Sequence, residues 1–355
     1  MPDEIKIEQL QLSDRDKAIA LVAKGYGDNP RMSDARFWDW HYREVPKMGM
    51  GKPPIWVAKS GERIVAQVAT IPVEVNIESE RRRAIWIVDM VVDPEFRRRG
   101  LAKKLVLAAE EFCPFGLVIG TNEQHSDPLL QSLGYRHVAK IPRFHKLLFP
   151  ANDVRQIASL NLLRKAVNLA FAPFRPRFEK NKNVRAVEKF DASFDALWTE
   201  AETQWSCAVR RTAQFLEWQY ARQPGKRFDV IGYYEGEKLL GYAVLFFRKP
   251  RANGAISKAA ITDICYHPEN PKKTVDALLQ ESLRLAVERG AGGLVTDVLD
   301  KLTEERLLHF GFGRVKSPLQ FMVKSADRQD LLYNPEKWFV TRGDADVSIF
   351  EDPNL

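Results

Sequence analysis

Three consecutive arginines, Arg97-Arg98-Arg99, run directly into Gly100-Leu101-Ala102, with an apolar run before them (Ile85 to Val92) and a helix-forming stretch after (Lys103 to Phe112). The order reads strand, tight turn, helix. The first amides of a helix lack intrahelical acceptors and carry the positive end of its dipole, so an anion is their natural occupant. Gly100 removes the Cβ that would hinder close approach, Ala102 keeps the next contact small, and the guanidinium groups raise the local potential. A pyrophosphate fits these residues; the bland alternative is a solvated basic turn. After a second apolar strand, Gly116 to Gly120, come Thr121-Asn122 and a short helix closing at Leu133-Gly134-Tyr135.

A strand followed by Pro94, Arg97, Gly100 and Ala102 in this spacing resembles the GNAT superfamily of acyl-CoA-dependent N-acyltransferases. The resemblance covers roughly residues 1–150. It implies that the backbone of Met90, Val91 and Val92 holds the pantetheine arm. It also implies that Arg97, Arg98, Arg99, Gly100, Leu101, Ala102 and Lys103 hold the pyrophosphate, and that Asn122 touches the cofactor arm. Acetyl-CoA is then the expected acyl donor and a primary amine, on a small molecule or a peptide, the expected acceptor. A non-catalytic acyl-CoA-binding or scaffold protein is the competing expectation.

Attack of an amine on a thioester needs a neutral amine, a base for its proton, donors for the oxyanion and often an acid for the thiolate. Asp89, Glu123 and His125 are candidate bases, imidazole being suited to proton transfer near neutrality. The tyrosine that serves as acid in many relatives, four residues before the helix-ending glycine, is Leu130 here and Leu307 in the later part of the chain. Ser126 or Tyr135 could substitute, Tyr135 also being a natural core aromatic; a thiol of pKa near ~8.5 can also leave unassisted.

Phe37-Trp38-Asp39-Trp40-His41-Tyr42 with Pro46 recurs 178 residues later as Phe215-Leu216-Glu217-Trp218-Gln219-Tyr220 with Pro224. Asp89 and Asp263, Pro94 and Pro268, and Leu133-Gly134-Tyr135 and Phe310-Gly311-Phe312 follow in the same order at nearly the same spacing. Such regularity predicts a duplicated domain. The expected architecture is therefore α/β, with two GNAT-like domains, each a mixed, mostly antiparallel twisted sheet flanked by helices. The second copy reads Glu269-Asn270-Pro271-Lys272-Lys273-Thr274-Val275 after Pro268 and has no glycine for the turn, so only the first is expected to bind acyl-CoA. Trp40 and Tyr42, matched by Trp218 and Tyr220, are expected to serve the shared fold rather than a substrate pocket.

The expected division is an N-terminal domain over 1–150, a basic amphipathic linker over 151–183, a degenerate second domain over 184–326 and a tail over 327–355. Two units of this size suit 355 residues. Cys113, Cys207 and Cys265 are scattered, without metal-ligand spacing, which predicts no metal and a reduced, cytoplasmic setting. The polar start and the lack of long apolar runs predict neither secretion nor membrane insertion. The chain carries +7, and coenzyme A, a polyanion, accounts for the arginine run without nucleic acid.

Most of the excess charge, +5, lies in 151–183. There Val154, Ile157, Leu160, Leu163, Val167 and Phe171 form an apolar helical stripe among Arg155, Arg164, Lys165, Arg175, Arg177, Lys180 and Lys182. The stripe suits docking on a domain, the reading preferred over a perch on an anionic membrane surface. Elsewhere the patterning predicts a strand from Ile5 to Leu12 and a helix from Arg15 capped by Ser13 and stopped at Gly25. Further strands are predicted at 55–59, 63–77, 228–234, 238–247 and 259–266, and helices at 34–43 and 274–288.

Overall fold

A computed structural model describes residues 4–27, 33–46, 51–121, 123–153, 160–225 and 228–346. Asn122, Val154, Arg155 and Ile157 lie outside the described residues.

In chain order the first half forms β1 (Ile5–Gln9), α1 (Arg15–Tyr26), α2 (Ala35–Trp38), β2 (Ile55–Ser60), β3 (Arg63–Ile77), β4 (Glu80–Val92), α3 (Leu101–Phe112), β5 (Gly116–Ile119), α4 (Ser126–Ser132), β6 (Arg136–Lys140) and β7 (Arg143–Leu147). The second half adds β8 (Val184–Val187), β9 (Cys207–Val209), β10 (Phe228–Glu235), β11 (Lys238–Phe247), β12 (Ala259–Tyr266), β13 (Gly293–Leu299), β14 (Gly313–Val315), β15 (Gln320–Lys324) and β16 (Trp338–Thr341). Helices Pro271–Glu288 and Lys301–His309 flank β13 in sequence.

The chain forms two compact units, and neither is one continuous stretch. The first contains 1–139, 214–226 and 319–335; the second contains 140–213, 227–318 and 336–355. The linear division expected from the sequence differs in three places. β15 of the second half is hydrogen-bonded into the first unit, between β5 and β6. β7 of the first half takes the matching place in the second unit, between β13 and β14. The expected tail contributes β16, which pairs with β13 and β9 in the second unit.

The first sheet therefore runs β6-β15-β5-β4-β3-β2-β1, and the second β14-β7-β13-β12-β11-β10-β8. In each, one parallel pair sits among antiparallel neighbours: β4 with β5, and β12 with β13. β3 is buried along nearly its whole length because helices cover it, which explains an apolar run without alternation. α3 turns Leu101, Leu105, Val106 and Ala109 inward at helical spacing and packs against β2 and β3. α1 ends at Gly27, in the left-handed region, and Asp14 rather than Ser13 precedes its first turn. Gly25 serves another purpose: a Cβ there would stand 2.5 Å from Val91 Cγ1, so its absence lets α1 lie close on β4.

The repeated Trp motif forms two short helical segments, each ending in a wider turn, Asp39–Arg43 and Glu217–Ala221. Both belong to the first unit. Trp40 Nε1 donates to the Trp218 carbonyl at 2.7 Å and Trp218 Nε1 to the Trp40 carbonyl at 2.9 Å. The rings stack with centroids 5.2 Å apart. Two residues related by the sequence repeat thus satisfy each other's buried polar groups, and both are core rather than pocket wall.

Candidate active site

In the first unit β4 and β5 pair only at Ile85–Gly116 and Trp86–Leu117. Beyond Trp86 the strands part, and among the described residues no strand pairs with the β5-facing edge of Ile87 to Val92. The parting has a local cause. β4 carries one extra residue against β3, so that Ala69 faces Val88 while Gln67 faces Val91, and Asp89 at this bulge sits at φ 45°. A bulge of this kind bends the strand and turns a side chain out of alternation. That edge of Met90, Val91 and Val92 is thereby left without a neighbouring strand among the described residues.

The same strand leads into the Arg97–Gly100 turn. Asp93 caps the short turn Pro94–Phe96 by accepting from the Glu95 amide at 3.2 Å. Burial alone would raise the Asp93 pKa, yet Lys24, the Glu95 amide and Arg63 hold it below its usual value. Arg98 and Gly100 both take left-handed backbone, at φ 63° and 72°, and α3 starts at Leu101 with no side-chain cap. The amides of Leu101, Ala102 and Lys103 are left as donors at the positive end of a 12-residue helix. Arg97, Arg98 and Arg99 are exposed around them, Arg99 resting on the Phe96 ring. Glycine relieves the strain of this backbone at Gly100, and no neighbouring atom lies within 4 Å of its missing Cβ, so the space before the helix is open.

Asp89 is buried and accepts hydrogen bonds from two tyrosines, Tyr26 at 3.0 Å and Tyr42. His41 Nδ1 stands 3.8 Å from Asp89 Oδ2. Its imidazole is fully buried, and desolvation lowers its pKa to about 4 against the opposing pull of Asp89, so the ring is neutral at physiological pH. Neither imidazole nitrogen has a hydrogen-bond partner. Gln67, fully buried opposite Val91, likewise has an unpaired amide. Among the described residues no lysine or arginine pairs with Asp89. The carboxylate is held by hydroxyl groups alone, one of them on Tyr26, which reaches the surface at 39% exposure.

Other candidates lie elsewhere. Glu123 and His125 are exposed after β5, and Ser126 is the first residue of α4. Tyr135 stands apart from this group. Its ring packs over Gly116, where β5 begins, leaving no room for a side chain there. Burial and the neighbouring Glu110 raise its pKa well above the usual tyrosine value. Gly116 pairs with Ile85, four residues and roughly 13 Å along β4 from Asp89. Tyr135 therefore belongs to the core, as does Leu130. His41 and Tyr42 escaped selection because a histidine inside an aromatic-rich helix reads as packing; only its juxtaposition with Asp89 marks it.

The second unit has the same parting of strands with different contents. β12 and β13 pair over Ala259–Ile261 and Leu294–Thr296, and β16 then pairs with Val298 and Leu299. Thr341 of β16 also donates its hydroxyl to Asp263 of β12 at 2.8 Å, so the chain itself fills the gap. Asp263 accepts from Arg211 and Tyr242, and Arg211 reaches Asp344 at 2.8 Å. Burial opposes the charge on Arg211, but the two carboxylates keep its pKa well above the ordinary value. Asp297 binds both Arg143, at 2.7 Å, and Arg342, at 2.6 Å, out of contact with water. At the turn, Asn270 occupies the left-handed position and Pro271 deletes the first amide of the helix.

The fold is α/β, a mixed sheet flanked by helices, of the GNAT type. Residues 6–113, under a third of the chain, match the acetyltransferase (GNAT) domain family. Human N-acetyltransferase 8 is 34% identical over 87 residues, a stretch that is 23% of this chain and only 37% of that relative's length. A probable N-acyltransferase of unknown function from Enterococcus faecalis superposes with a TM-score of 0.63 at 13% identity, covering 93% of this chain and 74% of that one. Saccharomyces cerevisiae N-myristoyltransferase with bound myristoyl-CoA gives 0.60 at 11%, covering 90% and 82%. A GCN5-related N-acetyltransferase from Anabaena variabilis gives 0.61 at 12%, covering 90% and 72%. At these identities the structural likeness concerns the fold, and it extends over both units.

Proposed function

We propose that the protein transfers an acetyl group from acetyl-CoA to a primary amine by direct attack in a ternary complex, using the first unit alone. One observation carries this reading: a strand edge freed by the Asp89 bulge leads straight into a glycine turn and an uncapped helix start. Met90, Val91 and Val92 would hold the pantetheine arm. The amides of Gly100 to Lys103, with Arg97, Arg98 and Arg99, would hold the pyrophosphate, and Asn122 would touch the arm. The residues fit such a ligand because the helix donors are unspent and no side chain occupies the turn.

In this reading Asp89 receives the amine proton. Its two tyrosine partners, Tyr26 and Tyr42, orient the carboxylate. Glu123 is the alternative base, and Ser126 a donor to the departing thiolate; a thiol of pKa ~8.5 is also able to leave without one. The degenerate second unit, its gap filled and its first helix amide replaced by proline, binds no acyl-CoA.

Calorimetry with acetyl-CoA tests the site. Gly100→Trp places a bulky group at a left-handed position in front of the donors, and binding should fall at least a hundredfold while the circular dichroism spectrum stays intact. Unchanged affinity would put the cofactor elsewhere. CoA release in a panel of amines, amino sugars, aminoacyl compounds and peptides tests the chemistry; binding without release above buffer controls would favour a binding protein.

A further inference from the structure

Helix Asn161–Ala170 in the second unit is amphipathic the wrong way round for a docked linker. Its one buried residue is Asn168, which accepts from the Ala151 amide at 3.2 Å and donates to Asn152 at 3.0 Å. Asn152 in turn donates to the Gly290 carbonyl at 2.7 Å and accepts from Arg164. The polar face is thus spent on the protein. Leu162 is 85% exposed and Leu169 74%, and Leu160, Leu163 and Phe174 are exposed with them. Of twelve strongly exposed large apolar side chains among the described residues, five fall in this one stretch of the chain. On a helical projection Leu162, Leu163, Ala166, Val167, Leu169 and Ala170 occupy one contiguous arc, about half the circumference. Patterning identified the stripe, and the expectation that it docks on a domain is corrected: the amide network of Asn152 and Asn168 holds the opposite face inward.

A second observation stands beside the first. A cavity of about 390 Å³ opens under the helix, with Arg164, Lys165, Asn168, Leu169, Arg175 and Arg289 in its wall and no carboxylate among the residues that line it, although Arg289 also pairs with Asp229 outside the wall. Burial and the neighbouring Arg177 lower the Arg175 pKa, as expected of a cation short of counter-charge, and its guanidinium rests on the Phe149 ring. From 160 to 183 the net charge is +5. An outward apolar arc of this size is rare on a soluble surface without a partner. Beside a cationic hollow it matches the chemistry of an anionic bilayer: acyl chains for leucines, a phosphate for the hollow.

We propose that this face of the second unit docks on an anionic phospholipid surface, with Leu162, Leu163 and Leu169 entering the interface and the Arg164, Lys165 and Arg175 side of the hollow receiving a headgroup phosphate. The docking is peripheral, since no helix among the described residues is long and apolar enough to cross a membrane. It does not depend on the reading of the first unit as an acyltransferase.

Co-sedimentation of the full chain with vesicles tests it, using phosphatidylcholine alone or with about a third phosphatidylglycerol. Binding is expected only with the anionic lipid and should weaken as salt rises. Leu162→Glu with Leu169→Glu should reduce it at least tenfold, and Lys165→Glu severalfold, while thermal melts and acetyl-CoA binding stay unchanged. No sedimentation at low salt, equal binding to neutral vesicles, or binding indifferent to the leucine changes would overturn the proposal. So would a dimer in light scattering that the leucine changes dissolve without any vesicle binding, which would assign the face to a second copy of the chain.

Discussion

Each unit parts two strands of its sheet beside an aspartate, and the two partings have opposite contents. In the second, β16 enters the gap, Thr341 bridges to Asp263, and Arg211 neutralises that carboxylate. In the first, among the described residues, the strand edge beyond Trp86 has no partner strand and Asp89 keeps only tyrosine hydroxyls and a neutral imidazole for company. The same topology therefore yields one closed, charge-balanced core and one site with an uncompensated carboxylate beside free backbone donors. Which of the two a sheet becomes is decided by a few side chains and by where a distant strand lands.

Parallel substitutions in the two partings should separate these roles. Asp89→Asn should lower kcat by about a thousandfold, within the usual range for loss of a general base, with little change in acyl-CoA affinity, since asparagine tolerates the left-handed backbone at that bulge. Asp263→Asn should leave kcat per folded molecule alone; an equal loss of turnover from both would erase the distinction drawn between them. Asp297→Asn strands Arg143 and Arg342 in the core and should destabilise the protein by about 3–5 kcal/mol in urea melts. Acetyl-CoA binding by the folded fraction should be untouched.

His41 contributes a pH effect of known sign. Its folded pKa, about 4, lies below the unfolded value of 6.5, so the unfolded state takes up the proton first. The contribution is fully present above about pH 6.5 and is lost as pH falls toward about 4, amounting to roughly 3 kcal/mol. Stability measured across that window should be markedly flatter for His41→Gln, which installs the residue found at the matching Gln219; an unaltered pH profile would mean that the imidazole is solvated. The smallest effect concerns the tryptophan pair. Trp218→Phe and Trp40→Phe each remove one donor from a reciprocal pair and should cost about 1–2 kcal/mol apiece. A double mutant cycle should show coupling between them.

Much of this was legible in the sequence where local chemistry dictates form. The strands Arg63–Ile77, Lys238–Phe247 and Ala259–Tyr266 follow from apolar runs bounded by turn residues, and the tight turn at Gly100 from a glycine between strand and helix. The repeat announced two sheets. What periodicity cannot show is partnership at long range: nothing in Gln320–Lys324 says that it pairs with Gly116–Ile119, nor in Trp338–Thr341 that it fills a gap. The site was legible in part for the same reason. Arg97 to Lys103 are contiguous, whereas Tyr26, His41, Tyr42 and Asp89 meet only through folding. For Tyr135 the sequence left two roles open, acid or core aromatic, and its packing over Gly116 places it in the core. For Leu160 and Leu163 the pattern located the apolar face but not the side on which the protein lies.

The traded strands bear on how the chain is born. During synthesis β5 waits with a bare edge until residue 324 has emerged, some two hundred residues after it, and β7 stays without its neighbour until Gly293–Leu299 follows. Neither sheet can finish in sequence order, so closure is deferred to pairings of very long span, which are slow to nucleate. A ribosome-bound front half would expose Gly116–Ile119 as a ready template for stray strands throughout that interval.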